Sequence, residues 1–300
     1  MTATSSAGPA NTDQIAYWNS VAGERWALLQ ARIDAVFAPL TGAALAFAAP
    51  KSEERVVDIG CGAGATVLGL AQAVGGSGHV LGVDVSKPML TVAERRVAAE
   101  TLPQATLLLA DASTHTFAPR TFDLVFSRFG VMFFADPVAA FANIRTGLVD
   151  GGRLAFACWQ PLKANPWFEV PVAALRPLLP PAPPADPLEP GPFAFADADR
   201  VRGILDAAGF EDIRIEPHHT RMNLGSPTAA LDFLTQVGPA SRALGDAEPE
   251  NRPALIDAVR SALASHDGPD GIVLGGAIWL VSARTAAVAG GQPRAPGSTD

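Results

Sequence analysis

A short apolar strand runs through an acid into a turn with glycine at every second position: Val56-Val57-Asp58-Ile59-Gly60-Cys61-Gly62-Ala63-Gly64. Glycine has no Cβ and takes positive φ without strain, so such a turn bends sharply and lets a nucleotide-like ligand approach its backbone. Strand, glycine turn and helix make one βα unit, and the chain repeats that unit. Further strands are expected at 79–83, 105–109, 122–127 and 153–159, with helices at about 64–74, 86–99 and 137–148 between them. Ser86 ahead of Pro88, and Asp136 ahead of Pro137, supply a cap and a first-turn proline for the second and third of these helices. Repeated βα units imply right-handed crossovers and a mostly parallel sheet with helices on both faces.

The remaining segments frame this core. Residues 1–12 and 285–300 read as disordered tails, and 13–48 as an N-terminal helical lid. The lid carries the stripe Trp26, Leu29, Ile33, Val36 and Leu40 behind the aromatic pair Tyr17 and Trp18. Residues 49–284 form one domain, with insertions at about 162–196 and 224–270. Prolines between 177 and 192 are too dense for regular structure and suggest a stiff connector. A helix from about Asp199 to Ala208, ended by Gly209, leads to a strand near 212–219. Helices at 227–237 and 252–264 precede an apolar strand from Ile272 to Val281.

Composition excludes several classes of function. A formal net charge of −8, with no run of Lys or Arg, argues against a nucleic-acid partner, because binding a phosphate backbone requires a basic face. The uncharged apolar stretch Ala35 to Pro50 falls short of the run of about 18 residues that suggests a membrane span, and Pro39 interrupts it. Two cysteines, Cys61 and Cys158, cannot build the disulfide framework of a secreted protein. The expectation is a cytoplasmic enzyme, monomeric or homodimeric, with a small-molecule partner, no membrane span and no metal site.

Chemistry gathers where the strands end. Asp58 closes the first strand, and a carboxylate there suits the ammonium of an amino-acid-bearing cofactor better than a pyrophosphate. Its bland alternative is a structural carboxylate that caps the loop or pairs with Arg55. Asp84 ends the second strand about twenty residues beyond the glycines, where a carboxylate accepts ribose hydroxyls. Asp111 follows the third and can accept from an adenine amino group. Residues 60–65 also satisfy the loose dinucleotide pattern G-x-G-x-x-[GA], so on the glycines alone a nicotinamide-dependent oxidoreductase stays open. That reading lacks a hydride-transfer Tyr/Lys pair, since the only tyrosine, Tyr17, has no lysine nearby.

At this point the chain resembles the class I S-adenosylmethionine-dependent methyltransferases, in particular the small-molecule group of ubiquinone- and menaquinone-biosynthesis type. The resemblance rests on residues 57–64, on Leu81 to Ser86, on Ala110-Asp111-Ala112 and on Phe122 to Ser127, with later matches at 148–154 and 205–210. It implies a Rossmann-like α/β fold of seven mostly parallel strands with the last antiparallel, and a helical lid. It further implies that Gly60 and Gly62 approach the methionine part, Asp84 the ribose, Val85 and Ala112 the adenine ring and Asp111 the adenine amino group. Ser127 would offer its carbonyl to the ammonium. Cys61 and Met89 complete the cofactor set, and Tyr17 and Trp26 would cover it from the lid, either ring also being able to attract a sulfonium. A cofactor-binding protein of the same fold without turnover is the remaining alternative.

Methyl transfer from a sulfonium is an in-line displacement, so the protein's main work is alignment and exclusion of water. Arg128 is the candidate for orienting an anionic or carbonyl acceptor, and His218 heads a set of possible general bases with His219, His115 and His266. Phe129 and Phe133 after the fourth strand, with Trp159 and Trp167 after the fifth, are the expected acceptor-lining residues. In place of the Asn/Asp-Pro-Pro-aromatic run common in base methyltransferases stands Ser127-Arg128-Phe129-Gly130, which weakens a base-amine target.

Overall fold

The computed structural model describes residues 11–180, 186 and 188–287. Of the tails expected at 1–12 and 285–300, residues 1–10 and 288–300 lie outside the described residues, as do 181–185 and 187 of the proline connector. Thr12 already opens a helix, and Thr285 is buried with its hydroxyl donating to the Val149 carbonyl at 2.8 Å. Three helices open the chain: α1 (Thr12–Trp18), α2 (Val21–Leu28) and α3 (Gln30–Ala48). The βα repeat follows as β1 (Arg55–Ile59), α4 (Ala65–Val74), β2 (His79–Asp84), α5 (Lys87–Ala99), β3 (Ala105–Leu109), β4 (Phe122–Arg128), α6 (Pro137–Gly147) and β5 (Leu148–Trp159). The second half holds α7 (Pro166–Leu175), α8 (Ala198–Ala207), β6 (Glu211–Gly225), α9 (Pro227–Leu234), α10 (Pro239–Asp246), α11 (Arg252–Ala264), β7 (Asp267–Gly268) and β8 (Gly271–Arg284).

The strands form one sheet in the order β3-β2-β1-β4-β5-β8-β6. β1 to β5 run parallel, and β8 inserts antiparallel between β5 and β6. Seven strands were expected, and the sheet adds an eighth: β7, two residues long, folds back on the start of β8. β5 begins five residues earlier than the apolar run indicates, because Gly151 at φ 70° lets the chain bulge between the pairs Phe122–Leu148 and Leu124–Arg153.

The caps form as expected. The Ser86 hydroxyl accepts from the Met89 N–H, and the Asp136 carboxylate accepts from that of Ala139 at 3.0 Å. Helices α7 and α10 were not anticipated; each starts with proline at its first turn, and proline reads equally well as a breaker.

Helix α3 departs from the expectation at Pro39. It runs unbroken through that residue for 19 residues, because Pro39 and Ala35, whose carbonyl it leaves without a partner, lie on the exposed face. By length and composition α3 could cross a membrane. Its other face nonetheless buries Ile33, Val36, Phe37, Leu40, Ala44 and Ala48 against the sheet. Each large apolar side chain so buried contributes about 1.5–3 kcal/mol, so α3 is a core helix.

Candidate active site

The parallel register brings three acids to one edge of the sheet. Asp58 pairs with Gly82 on one side and Phe126 on the other, and Asp84 pairs with Leu109, two residues ahead of Asp111. The carboxyl ends of β1, β2 and β3 thus line one crevice, where open α/β sheets bind ligands.

Beside it runs the glycine turn. Gly60, Gly62 and Gly64 all have positive φ, at 69°, 54° and 86°. Gly60 lies back to back with Gly130 after β4, and a Cβ added there would stand 2.6 Å from the Gly130 Cα. Gly62 faces Met89, with 3.6 Å between the place of a Cβ and Sδ. Its N–H donates to Asp84 Oδ2 at 2.7 Å, while Ser86 N–H donates to Oδ1 at 2.8 Å. Asp84 therefore holds the turn in shape as well as facing the crevice. Burial raises its pKa against these backbone bonds.

Asp58 is wholly buried. The Thr66 hydroxyl, in the first turn of α4, donates to its Oδ2, whereas Oδ1 is buried with no hydrogen-bond partner. Desolvation pushes its pKa up to about 7, against the Thr66 bond and the Arg128 charge, with Asp84 adding a smaller upward push. Arg55 is not its partner: its side chain is exposed and leaves the opposite face of β1 from the buried Asp58, and the loop-capping alternative survives only as the Thr66 bond. Cys61 is a buried free thiol whose pKa burial drives up, so it packs rather than reacts.

Asp111 Oδ1 accepts from the Ser113 N–H and hydroxyl at 2.9 and 2.7 Å. The Asn143 amide donates to the Ala112 and His115 carbonyls, fixing the loop that presents Ala112. Ser127 is buried, its hydroxyl donating to the Ile59 carbonyl at 2.7 Å and accepting from Gly130 N–H at 3.2 Å.

Lid and sheet meet through aromatic rings. Phe129, at φ 66°, stacks on Trp159 with centroids 4.2 Å apart and planes 5° from parallel. Phe37 of α3 meets Phe129, Trp159 and Trp167 at 5.9, 5.9 and 5.5 Å. Trp159 and Trp167 are 3% and 1% exposed, so they form the floor beneath Phe129 rather than an open wall.

In the lid, Trp18 takes the inward place expected of Tyr17, its ring meeting Trp26 at 5.6 Å and Phe133 at 5.4 Å. Tyr17 is 37% exposed, its ring under the Arg242 guanidinium at 5.2 Å. Neighbouring helix positions face about 100° apart, and the aromatic pair gave no sign of which turned inward.

Three contacts latch the lid to the loop after β2. The Ser86 hydroxyl donates to the Trp18 carbonyl at 2.7 Å, and Asn19 donates to the Val85 carbonyl at 2.8 Å and accepts from Lys87 N–H at 3.0 Å. Thr66, Trp18 and Asn19 are site residues that sequence reasoning missed. For Thr66 a signal existed: a hydroxyl in the first helical turn after a glycine loop, facing back along the strand.

The histidines are spread out. His218 lies on β6, opposite Ile278, which in turn pairs with Trp159. That is three strand spacings from Arg128 on β4, about 14 Å at roughly 4.8 Å each. His219 Nε2 lies 3.4 Å from Gln160 Oε1, and His115 sets its ring edge-on to Phe117 at 4.9 Å. Among the described residues no cluster could hold a metal ion.

Sheet order, glycine turn and the row of acids together give the Rossmann-like fold of the class I methyltransferases. Residues 56–152 match the model of a methyltransferase-domain family. The chain is 36% identical over 145 residues to the aklanonic acid methyltransferase of Streptomyces sp. (strain C5), a match that spans 48% of this chain and 61% of that relative. It is 28% identical over 196 residues to a demethylmenaquinone methyltransferase of Lactiplantibacillus plantarum, spanning 62% of this chain and 79% of the relative. In fold it is similar to Haemonchus contortus phosphoethanolamine N-methyltransferase 2, solved with S-adenosyl-L-methionine, at a TM-score of 0.56 and 20% identity, covering 93% of this chain and 60% of that one.

The residues present fit S-adenosylmethionine, the cofactor of this class. The orphaned, buried Asp58 oxygen suits an ammonium, and a turn with positive-φ glycine at 60, 62 and 64 lets a ligand approach its backbone.

Proposed function

We propose that the chain transfers the methyl group of S-adenosylmethionine to a small, planar, largely apolar metabolite. The observation that carries this reading is the buried, unpartnered oxygen of Asp58 at the foot of the glycine turn, in line with Asp84 and Asp111 along one sheet edge. A bare carboxylate oxygen in the interior is costly unless a ligand's donor meets it. When bound, S-adenosylmethionine supplies an electrophilic methyl on a sulfonium.

The chain's own residues would do the rest. Asp58 takes the ammonium end, Asp84 the ribose and Asp111 with Ala112 the adenine, while Gly60 and Gly62 allow close approach. Trp18 and Trp26 close the lid over the cofactor, and Phe129 and Phe133 face the acceptor with Trp159 and Trp167 behind them. Rings at a strand end offer flat apolar contact and keep out water, so the rate gain comes from alignment. The aromatic character of this lining supports a planar acceptor, and the similarity to the aklanonic acid and demethylmenaquinone methyltransferases supports a small-molecule one. His218 is the base to test if the acceptor must first lose a proton, reached by movement of acceptor or lid rather than in the described geometry. Two buried, unpaired cysteines suit a reducing compartment such as the cytoplasm.

The test is methyl release from labelled S-adenosylmethionine across a panel of phenolic, enolic and quinol acceptors and amine controls. Turnover confined to the planar hydroxyl or ring-carbon acceptors supports the reading, and turnover confined to small charged amines contradicts it.

A further inference from the structure

We propose that Arg128 binds the carboxylate of the cofactor's amino-acid end while Asp58 binds its ammonium, the two side chains forming a clamp for a zwitterion across the carboxyl ends of β1 and β4. The inference rests on the cofactor reading above and gives Arg128 a task other than acceptor orientation.

Geometry places both groups on one side. Phe126 pairs with Asp58, and Arg128 lies two residues further along β4, so the two side chains leave the same face of the sheet. On that face lies α3: the Arg128 guanidinium donates to the Thr41 hydroxyl and sits 5.9 Å from the Phe37 ring centroid. Neither contact neutralises its charge. The nearby carboxylate on α3, Asp34, is already engaged by Arg96 at 2.8 Å and Gln30 at 2.6 Å.

Arg128 Nε is thus buried without a partner, as is Asp58 Oδ1. The charges feel one another, Arg128 drawing the Asp58 pKa down and Asp58, after Asp34, drawing that of Arg128 up, yet among the described residues no ion pair joins Arg128 to Asp58. Burial prevails at both, raising the acid and lowering the base. Two opposite buried charges held apart, each with an open hydrogen-bonding atom, match a ligand that carries ammonium and carboxylate on one carbon. The adenosine part offers neither charge.

The experiment is calorimetric titration of the full chain with S-adenosylhomocysteine and with its decarboxylated analogue, which keeps the amine, thioether and adenosine. Wild type is expected to bind S-adenosylhomocysteine at least about tenfold more tightly than the analogue, as a charge-assisted carboxylate contact implies. In Arg128→Met the affinity for S-adenosylhomocysteine falls by about tenfold or more while that for the analogue changes by less than about threefold, and Arg128→Lys recovers part of the loss. Equal affinity of wild type for the two ligands, or an equal loss of both in Arg128→Met, overturns the proposal. So does an unchanged S-adenosylhomocysteine affinity with a raised KM for the acceptor. If Arg128→Met does not fold, the two wild-type titrations decide. Failure of the underlying cofactor reading looks different, since wild type then binds neither ligand.

Discussion

Asp58 carries the site's tension between stability and function. The unfolded carboxyl ionises near its ordinary 3.8 and the buried one near about 7, so the ligand-free folded state holds the proton more tightly. This contribution to stability is full below pH 4 and lost as pH rises through 7, on the order of 4 kcal/mol at most. Asp58→Asn is therefore expected to raise the melting temperature of the free protein at pH 8 relative to wild type, and to leave it nearly unchanged at pH 4. The same substitution should weaken S-adenosylhomocysteine binding by roughly tenfold at pH 8, since an ammonium prefers the ionised acid. Wild-type affinity should rise with pH between about 6 and 8, and that of the variant should stay flat. An affinity for wild type that falls over that interval would contradict the assignment. The sequence made Asp58 legible as a ligand-facing acid, because its place at the end of β1 follows from local pattern. It could not show that one oxygen is bonded to Thr66 and the other left bare, since that depends on how α4 packs.

At the level of elements, the glycine turn and the lid each rest on contacts that can be broken singly. Gly60→Ala would bring a Cβ to 2.6 Å from the Gly130 backbone at a φ of 69°, whereas Gly75→Ala, at φ 70°, meets nothing within 4 Å. Gly60→Ala incurs left-handed strain of about 1–2 kcal/mol plus a clash with backbone, whereas Gly75, at ψ −178°, incurs backbone strain alone, on the order of 1–3 kcal/mol. Thermal melts should show Gly60→Ala losing several degrees more than Gly75→Ala, and equal losses would mean that the β1 and β4 turns do not lock together. Asn19→Ala removes two bonds that hold α1 and α2 to the loop after β2. Limited proteolysis within residues 12–28 should then speed up severalfold while the melt of the domain is unmoved, because each exposed bond is worth only about 0.5–1.5 kcal/mol. The lid was foreseeable as an amphipathic stripe. Its division into α1, α2 and α3, with α3 belonging to the core, was not, because hydrophobic spacing alone does not reveal which partner the apolar face meets.

Over the whole molecule, local pattern accounts for the parallel half well and for the second half less well. β1 to β4 and α4 to α6 were placed within a residue or two, since apolar runs, caps and glycines all agreed there. β6 and β8 run 15 and 14 residues, well past the expected ends, because pairing with each other sustains them beyond the sheet's own apolar segment. On that extension α7 and α9 pack, with α10 and α11 behind them, a wall of helices whose arrangement the sequence left undefined. If the wall and the ring cluster serve the acceptor, Phe129→Ala should raise its KM about tenfold while the affinity for S-adenosylhomocysteine changes by less than twofold. Everything else depends on the cofactor. Its most direct test is side-by-side calorimetric titration of the ligand-free chain with S-adenosylhomocysteine and with NAD. One molar equivalent of S-adenosylhomocysteine is expected to bind in the micromolar range or tighter, with no heat from NAD. Saturable NAD binding with none for S-adenosylhomocysteine would contradict it.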